Sequence, residues 1–444
     1  MSHEIERALA EIPILDIHTH LVGGKLAARG LHDILLYHMV VSDLYAAGCP
    51  SGRRLTQFPE WPTREEAAAR IEEALPYLPY IRNTSSFWGV RIILRHHYGW
   101  PAPIDKSNWK RLDGMIRERA DDRNWPREVL VRAGIERTGT ELARRGSGSD
   151  DDRLQYALEW GFFTRCQWGE FDTALYELER CWGKTPESPT PIGTGPRPPT
   201  ERTITSLDDV HQAVAHYVAS IPYDRIISMA THLSTDINYR LVSDDEMAAA
   251  ISRRSHAGPA ERDCYASYVN ELLLTMLEAR AEKPVFQFSF GAEPLPYETA
   301  SRISHRTIGQ VAEIIGRHPK TSFQCFLGSR HANQAMCTLA RALPNLSMAG
   351  YWWHNFFPSA IAHVMHERLE MLPANKQVAF FSDAYCAEWS YAKVVIMRKV
   401  MANVLAQQIE IGHMNQTQAM EFAREVLYHS PQSLLKMSPR TTAR

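Results

Sequence analysis

Eight short apolar runs, many of them separated by helix-patterned segments, constrain this chain more than any other feature. They lie at 12–18 (IPILDIH), 133–139 (AGIERTG), 160–166 (WGFFTRC), 225–232 (RIISMATH), 284–291 (PVFQFSFG), 321–328 (TSFQCFLG), 345–353 (NLSMAGYWW) and 377–384 (QVAFFSDA). Near-continuous apolar runs suit parallel strands covered on both faces. Between them, Ser206 and Asp209 form a helix start signal. Val210, Val214, Tyr217, Val218 and Ile221 then share one helical face, and Pro222 marks the exit. Segment 304–316 repeats the pattern with Ile308, Val311, Ile314 and Ile315. Strand alternating with helix gives a parallel sheet, and eight such strands predict closure into a (β/α)8 TIM-type barrel.

The spacing is uneven, with over a hundred residues between the first and second runs. Thr63 and Glu66 in TREEAAARIEEAL fit a capping box, so this stretch reads as a helical insertion at 22–130. The whole chain, 1–444, is then one barrel domain carrying that insertion. Segments 144–153 and 183–203 have loop composition. A formal charge of −2 offers no basic field for phosphate backbones, which argues against nucleic-acid binding. The seven cysteines are scattered without a CxxC pair, which argues against a disulfide framework or a zinc-thiolate site. MSHEIERALAEIP is too polar for a secretory signal, and no apolar run approaches the ~20 residues that span a bilayer. A cytoplasmic protein with no membrane partner is the expectation.

The chemistry concentrates at predicted strand ends, where barrel active sites gather. In Asp16-Ile17-His18-Thr19-His20, the two histidines stand at i and i+2 of a strand and share a face. Neutral imidazoles are good ligands for zinc and similar divalent ions. Asp383 closes the last run, and strand 8 of a barrel neighbours strand 1. The three side chains therefore predict a divalent-metal site, in which Asp383 could also move protons. His232 ends the fourth run as a further ligand, an acid/base, or simply a polar strand end. Arg165 ends the third, where a guanidinium could clamp a carboxylate. Trp352 and Trp353 end the seventh, with faces suited to sugars or to core packing. His363 and His366 match no metal motif and read as a solvated helix face. No G-x-G-x-x-G, Walker or G-x-S-x-G sequence is present.

Five passages resemble the uronate isomerases (glucuronate isomerase), a branch of the amidohydrolase superfamily. PILDIHTHL resembles the opening strand, and Tyr37-His38 stands where the family has an Asp-His pair. FFTRCQW resembles the strand whose arginine faces the sugar acid. ATHLSTDINYRLVSDDEMAAAISRR resembles the Asp-His strand end with the segment after it. YWWHNFF and FFSDAY resemble the last two strand ends. The resemblance implies one divalent ion, zinc being the first expectation, on His18, His20 and Asp383. It assigns Arg165 to the substrate carboxylate, and His38, His232 and Trp353, beside Trp352, to the sugar pocket. It implies a homo-oligomer that converts an aldose to a ketose in a sugar acid such as glucuronate or galacturonate, with Asp383 and His232 as proton carriers. The alternative on the same scaffold is a metal-dependent hydrolase or lyase acting on another small carboxylated substrate. Three positions depart from the family pattern: Tyr385 replaces an arginine, Ser289 a histidine and Tyr37 an aspartate. Ser289 removes a ligand, which predicts at most one metal.

Overall fold

The structure is a computed structural model that describes residues 2–49, 55, 62–145, 152–160, 171–182, 199–235, 237–281, 283–291, 303–351 and 356–437. Its centre is one parallel sheet of β1 (Ile14–Thr19), β2 (Ile135–Glu141), β3 (Leu154–Glu159), β4 (Ile226–His232), β5 (Val285–Phe290), β6 (Phe323–Leu327), β7 (Leu346–Ala349) and β8 (Gln377–Val378). The strands pair in chain order. The sheet curls so that the chain beyond β8 returns to the end of β1. Past β8, the Asp383 N–H donates to the His18 carbonyl at 3.0 Å, and the His20 N–H donates to the Ala384 carbonyl at 2.8 Å. One apolar cluster combines Leu15 and Ile17 of β1 with Val285 of β5, Phe326 of β6 and Val378 of β8, a grouping that a flat sheet forbids. Gly139 in β2 permits close approach to β1, since a Cβ there would stand 2.5 Å from the Ile17 carbonyl oxygen. The result is an α/β fold of the TIM-barrel type.

Helix α1 (Ser2–Ala10) precedes β1. Between β1 and β2 run α2 (Leu31–Leu35), α3 (His38–Ala46), α4 (Arg64–Ala74), α5 (Ser85–Tyr98), α6 (Trp109–Ala120) and α7 (Trp125–Ala133). Farther along are α8 (Phe171–Cys181), α9 (Leu207–Ser220), α10 (Asp244–Ser252), α11 (Pro259–Glu278), α12 (His305–Arg317), α13 (Asn333–Ala342), α14 (Pro358–Met371), α15 (Ala387–Glu410), α16 (Gln416–Arg424) and α17 (Ser430–Leu435). The start signals work as read. Thr63 and Glu66 cap α4 reciprocally. Ser206 and Asp209 do the same for α9, the shorter Asp serving where Glu is usual. Val210, Val214, Tyr217 and Val218 of α9 are buried, as the periodicity requires.

Two large apolar clusters flank the sheet. One joins the helices between β1 and β2 to α14 and α15, and the other joins α8–α13 to β3–β7. Glu388, wholly buried in the first turn of α15, ties the first cluster together. Its carboxylate accepts from Tyr98 Oη at 3.0 Å, Trp125 Nε1 at 2.9 Å and the Ala28 N–H at 3.0 Å.

Strand limits correct the sequence reading in three places. The third strand is Leu154–Glu159, ahead of the apolar run at 160–166; only Trp160 of that run is described, and residues 161–166 lie outside the described residues. LQYALE is short and carries Gln155 and Glu159, so it reads weakly beside the bulkier run that follows. β8 holds two residues rather than eight, because the Ala379 N–H turns to the Val426 carbonyl and leaves the ladder. β7 ends at Ala349, before Gly350 turns the chain at φ 50°.

Candidate active site

The two histidines and the distant aspartate meet. His18 Nε2 lies 3.5 Å and His20 Nε2 3.1 Å from the same Asp383 Oδ1. One ligand atom from each of the three lies within 4.8 Å of the others. Local backbone explains the meeting. The i, i+2 spacing turns both imidazoles to one side at the end of β1. The paired hydrogen bonds between 383–384 and 18–20 place Asp383 across from them. Asp383 itself sits in the left-handed region at φ 54°, a conformation a non-glycine residue keeps only where its surroundings enforce it. Phe326 and Phe381 pack against His18, their ring centroids each 5.8 Å away.

Glu141, the last residue of β2, completes the set, and the sequence reading missed it. Parallel pairing sets Thr19 against Thr140, so Glu141 falls opposite His20. Its Oε1 is 2.7 Å from His20 Nδ1, and its Oε2 accepts from Arg144 Nε at 2.7 Å. Burial opposes charge on His20, but Glu141 and Asp383 outweigh it and raise its pKa to about 9. Burial likewise opposes ionisation of Asp383, yet the hydrogen bonds of His18 and His20 hold its carboxyl well below the usual range. Tyr385 stacks on His20, with ring centroids 4.6 Å apart, and the Arg144 guanidinium lies 5.7 Å from the centroid of the Tyr385 ring.

The donor set suits a divalent cation. Glu141 fixes Nδ1 of His20 as a donor and turns its Nε2 towards Asp383, the orientation a metal-ligating imidazole needs. In the ion-free site the raised pKa of His20 keeps a proton on its Nε2, shared with Asp383 Oδ1, and a divalent ion would take that proton's place. His18, His20 and Asp383 are the only cluster of three or more His, Cys, Asp or Glu ligand atoms of this kind among the described residues.

The remaining predicted residues divide into two groups. His38 opens α3, its ring centroid 5.7 Å from Tyr385, and burial drives its pKa down to about 3, so it is a neutral imidazole. His232 ends β4, is buried, and has Nδ1 3.3 Å from Ser289 Oγ of β5. Arg165, Trp352 and Trp353 lie outside the described residues. His363 is exposed on α14 and pairs with Glu367 at 3.2 Å, in keeping with a solvated helix face.

No protein-family model matches the sequence, and no curated protein matches it. Solved structures do. A glucuronate isomerase from Caulobacter crescentus aligns over 99% of this chain and 95% of its own, at 16% identity and a TM-score of 0.76. A uronate isomerase from Thermotoga maritima aligns over 98% and 97%, at 13% identity and a TM-score of 0.70. One from Bacillus halodurans aligns over 99% and 96%, at 17% identity and a TM-score of 0.69. At such identities the likeness is one of fold, shared along nearly the whole length of all three.

Proposed function

We propose that this chain is a metal-dependent enzyme that interconverts the aldose and ketose forms of a sugar acid such as glucuronate or galacturonate. The observation that carries the reading is the convergence of His18, His20 and Asp383 on one point, in a fold shared end to end with three uronate isomerases. These three residues would hold one divalent ion, with zinc the first choice for two imidazoles and a carboxylate. Bound there, the ion supplies Lewis-acid polarisation of the substrate's carbonyl and hydroxyl oxygens.

The rest falls to the chain's own side chains. In the reaction assigned, a proton leaves C2, another arrives at C1, and the hydroxyl and carbonyl exchange places through an enediol. Asp383, in the turn after β8, and His232, at the end of β4, are our proton carriers, and both are buried. Glu141 orients His20. Arg165 is assigned to the substrate carboxylate, and His38, Trp352 and Trp353 to the sugar. The helices between β1 and β2 we read as an insertion in a single barrel domain, His38 of α3 being its contribution to the site. We expect a homo-oligomer of cytoplasmic location. Among the described residues, no helix is long and apolar enough to cross a membrane.

Incubation with glucuronate and galacturonate in D2O, followed by NMR at C1 and C2, tests this. The expected result is ketose signal and solvent deuterium at the reacting carbons, lost after chelation and in His18→Ala. Hydrolysis of lactones or amides with no change in either uronate would assign the site to a hydrolase instead.

A further inference from the structure

Lys393 is a buried lysine that the proposed reaction leaves unused. It lies in the second turn of α15 and is 1% exposed. An ammonium in such a place carries a desolvation cost that a hydrocarbon side chain of similar volume would avoid. Burial pulls its pKa down to about 8, against the attraction of Asp383 and Asp16. Its Nζ lies 4.8 Å from the Tyr37 ring centroid and 4.5 Å from that of Phe356, in cation–π contact with both.

The hydrogen bonds of Lys393 converge on the peptide units around Asp383. Its Nζ donates to the Ser382 carbonyl, immediately before Asp383. It also donates to Tyr37 Oη at 2.8 Å, and that hydroxyl donates to the Asp383 carbonyl at 2.8 Å. The N–H groups of the same two residues are held as well. Ser382 donates to Asp16 Oδ1 at 2.8 Å, and Asp383 donates to the His18 carbonyl at 3.0 Å. All four backbone polar groups of 382–383 are therefore fixed around a residue at φ 54°. A non-glycine residue stays in that region only where an enforcing shell holds it. The lysine and the tyrosine supply the part of that shell that grips the two carbonyls.

We propose that Lys393 is a positioning residue of the cation site: acting directly and through Tyr37, it locks the left-handed turn that aims the Asp383 carboxylate at His18 and His20. This rests on those three residues being metal ligands. The test uses the full chain and four proteins: wild type, Lys393→Met, Tyr37→Phe, and Lys399→Met. Lys399 is on the same helix but pairs at the surface with Glu6. Zinc affinity is read by competition with a chromophoric chelator, below each protein's own unfolding transition, so that lost stability and lost affinity are separate readings. The expected result is at least tenfold weaker zinc binding in Lys393→Met, a severalfold loss in Tyr37→Phe, and wild-type affinity in Lys399→Met. Wild-type affinity in folded Lys393→Met overturns the proposal. If that variant does not fold, wild-type affinity in Tyr37→Phe overturns it. If the wild type binds no divalent ion, the metal reading fails on its own. Nitrogen NMR of the imidazoles in the ion-free protein then decides positioning. A His20–Asp383 hydrogen bond that is lost in the variants supports the lock, and one that is unchanged refutes it.

Discussion

Glu141 shows how one carboxylate sets the chemistry of its neighbour. By accepting from His20 Nδ1, it fixes which nitrogen faces Asp383, and Arg144 fixes Glu141 in turn. Outer-shell carboxylates of this kind typically contribute 10–100-fold to metal affinity. Glu141→Gln should therefore weaken zinc binding by about that factor while the circular dichroism stays native. Calorimetric titration checks it, and an unchanged affinity would remove Glu141 from the site. His18, His20 and Asp383 were legible in the sequence because each ends an apolar run in a chain patterned for a barrel. Glu141 was not, since the run AGIERTG fades two residues before it and a Glu at a strand end looks like any solvent-facing acid. Only the register Thr19 to Thr140 reveals what it faces. Lys393 was equally silent, being a lone lysine within an apolar helix pattern.

Helices hold this barrel at points the sequence does not advertise. Glu388 of α15 receives donors from α5, α7 and the chain before α2, so three separate segments depend on one carboxylate. Glu388→Ala leaves those donors buried and unpaired, and should destabilise the protein by about 3–5 kcal/mol. Urea unfolding measures this, and a loss below about 1 kcal/mol would mean that water replaces the carboxylate. Between α11 and α12 the linkage depends on pH. Burial would raise the Glu271 pKa, but hydrogen bonds and charge from His318 and Arg317 hold it at about 2, against 4.5 unperturbed. A carboxylate depressed in the folded state contributes stability above its unfolded pKa and loses it on acidification. Wild type should exceed Glu271→Gln by about 1 kcal/mol at neutral pH, the group being part exposed. The gap should shrink as pH falls from 4.5 towards 2, and a gap constant with pH would contradict the linkage. Helix starts were readable here because Thr63–Glu66 and Ser206–Asp209 are local signals. Strand limits were not, since β3 is fixed by its neighbours' register and β8 by the Val426 carbonyl that draws Ala379 away.

For the molecule as a whole, the proposed cation site lies at the seam where the two ends of the sheet approach. His18 and His20 lie at the end of the first strand and Asp383 five residues past the last, so an ion held by them would crosslink the two edges of the sheet. Seven of the eight strands were readable from apolar runs, the third lying ahead of its run, and closure was an inference from their number. Its physical basis is the pair of backbone hydrogen bonds at 18–20 and 383–384, which no local pattern encodes. Without the ion, the same edges are still joined by those bonds and by the His–Asp contacts, so chelation should lower stability without unfolding the chain. Linkage gives the size: an ion at a hundred times its dissociation constant stabilises the folded state by about 2.7 kcal/mol. Thermal unfolding with and without zinc measures it. The midpoint should rise with free zinc in the wild type and stay flat in Asp383→Asn, which removes the ligand on the closing edge. A rise of equal size in Asp383→Asn would place the ion elsewhere and separate the metal from the seam of the barrel.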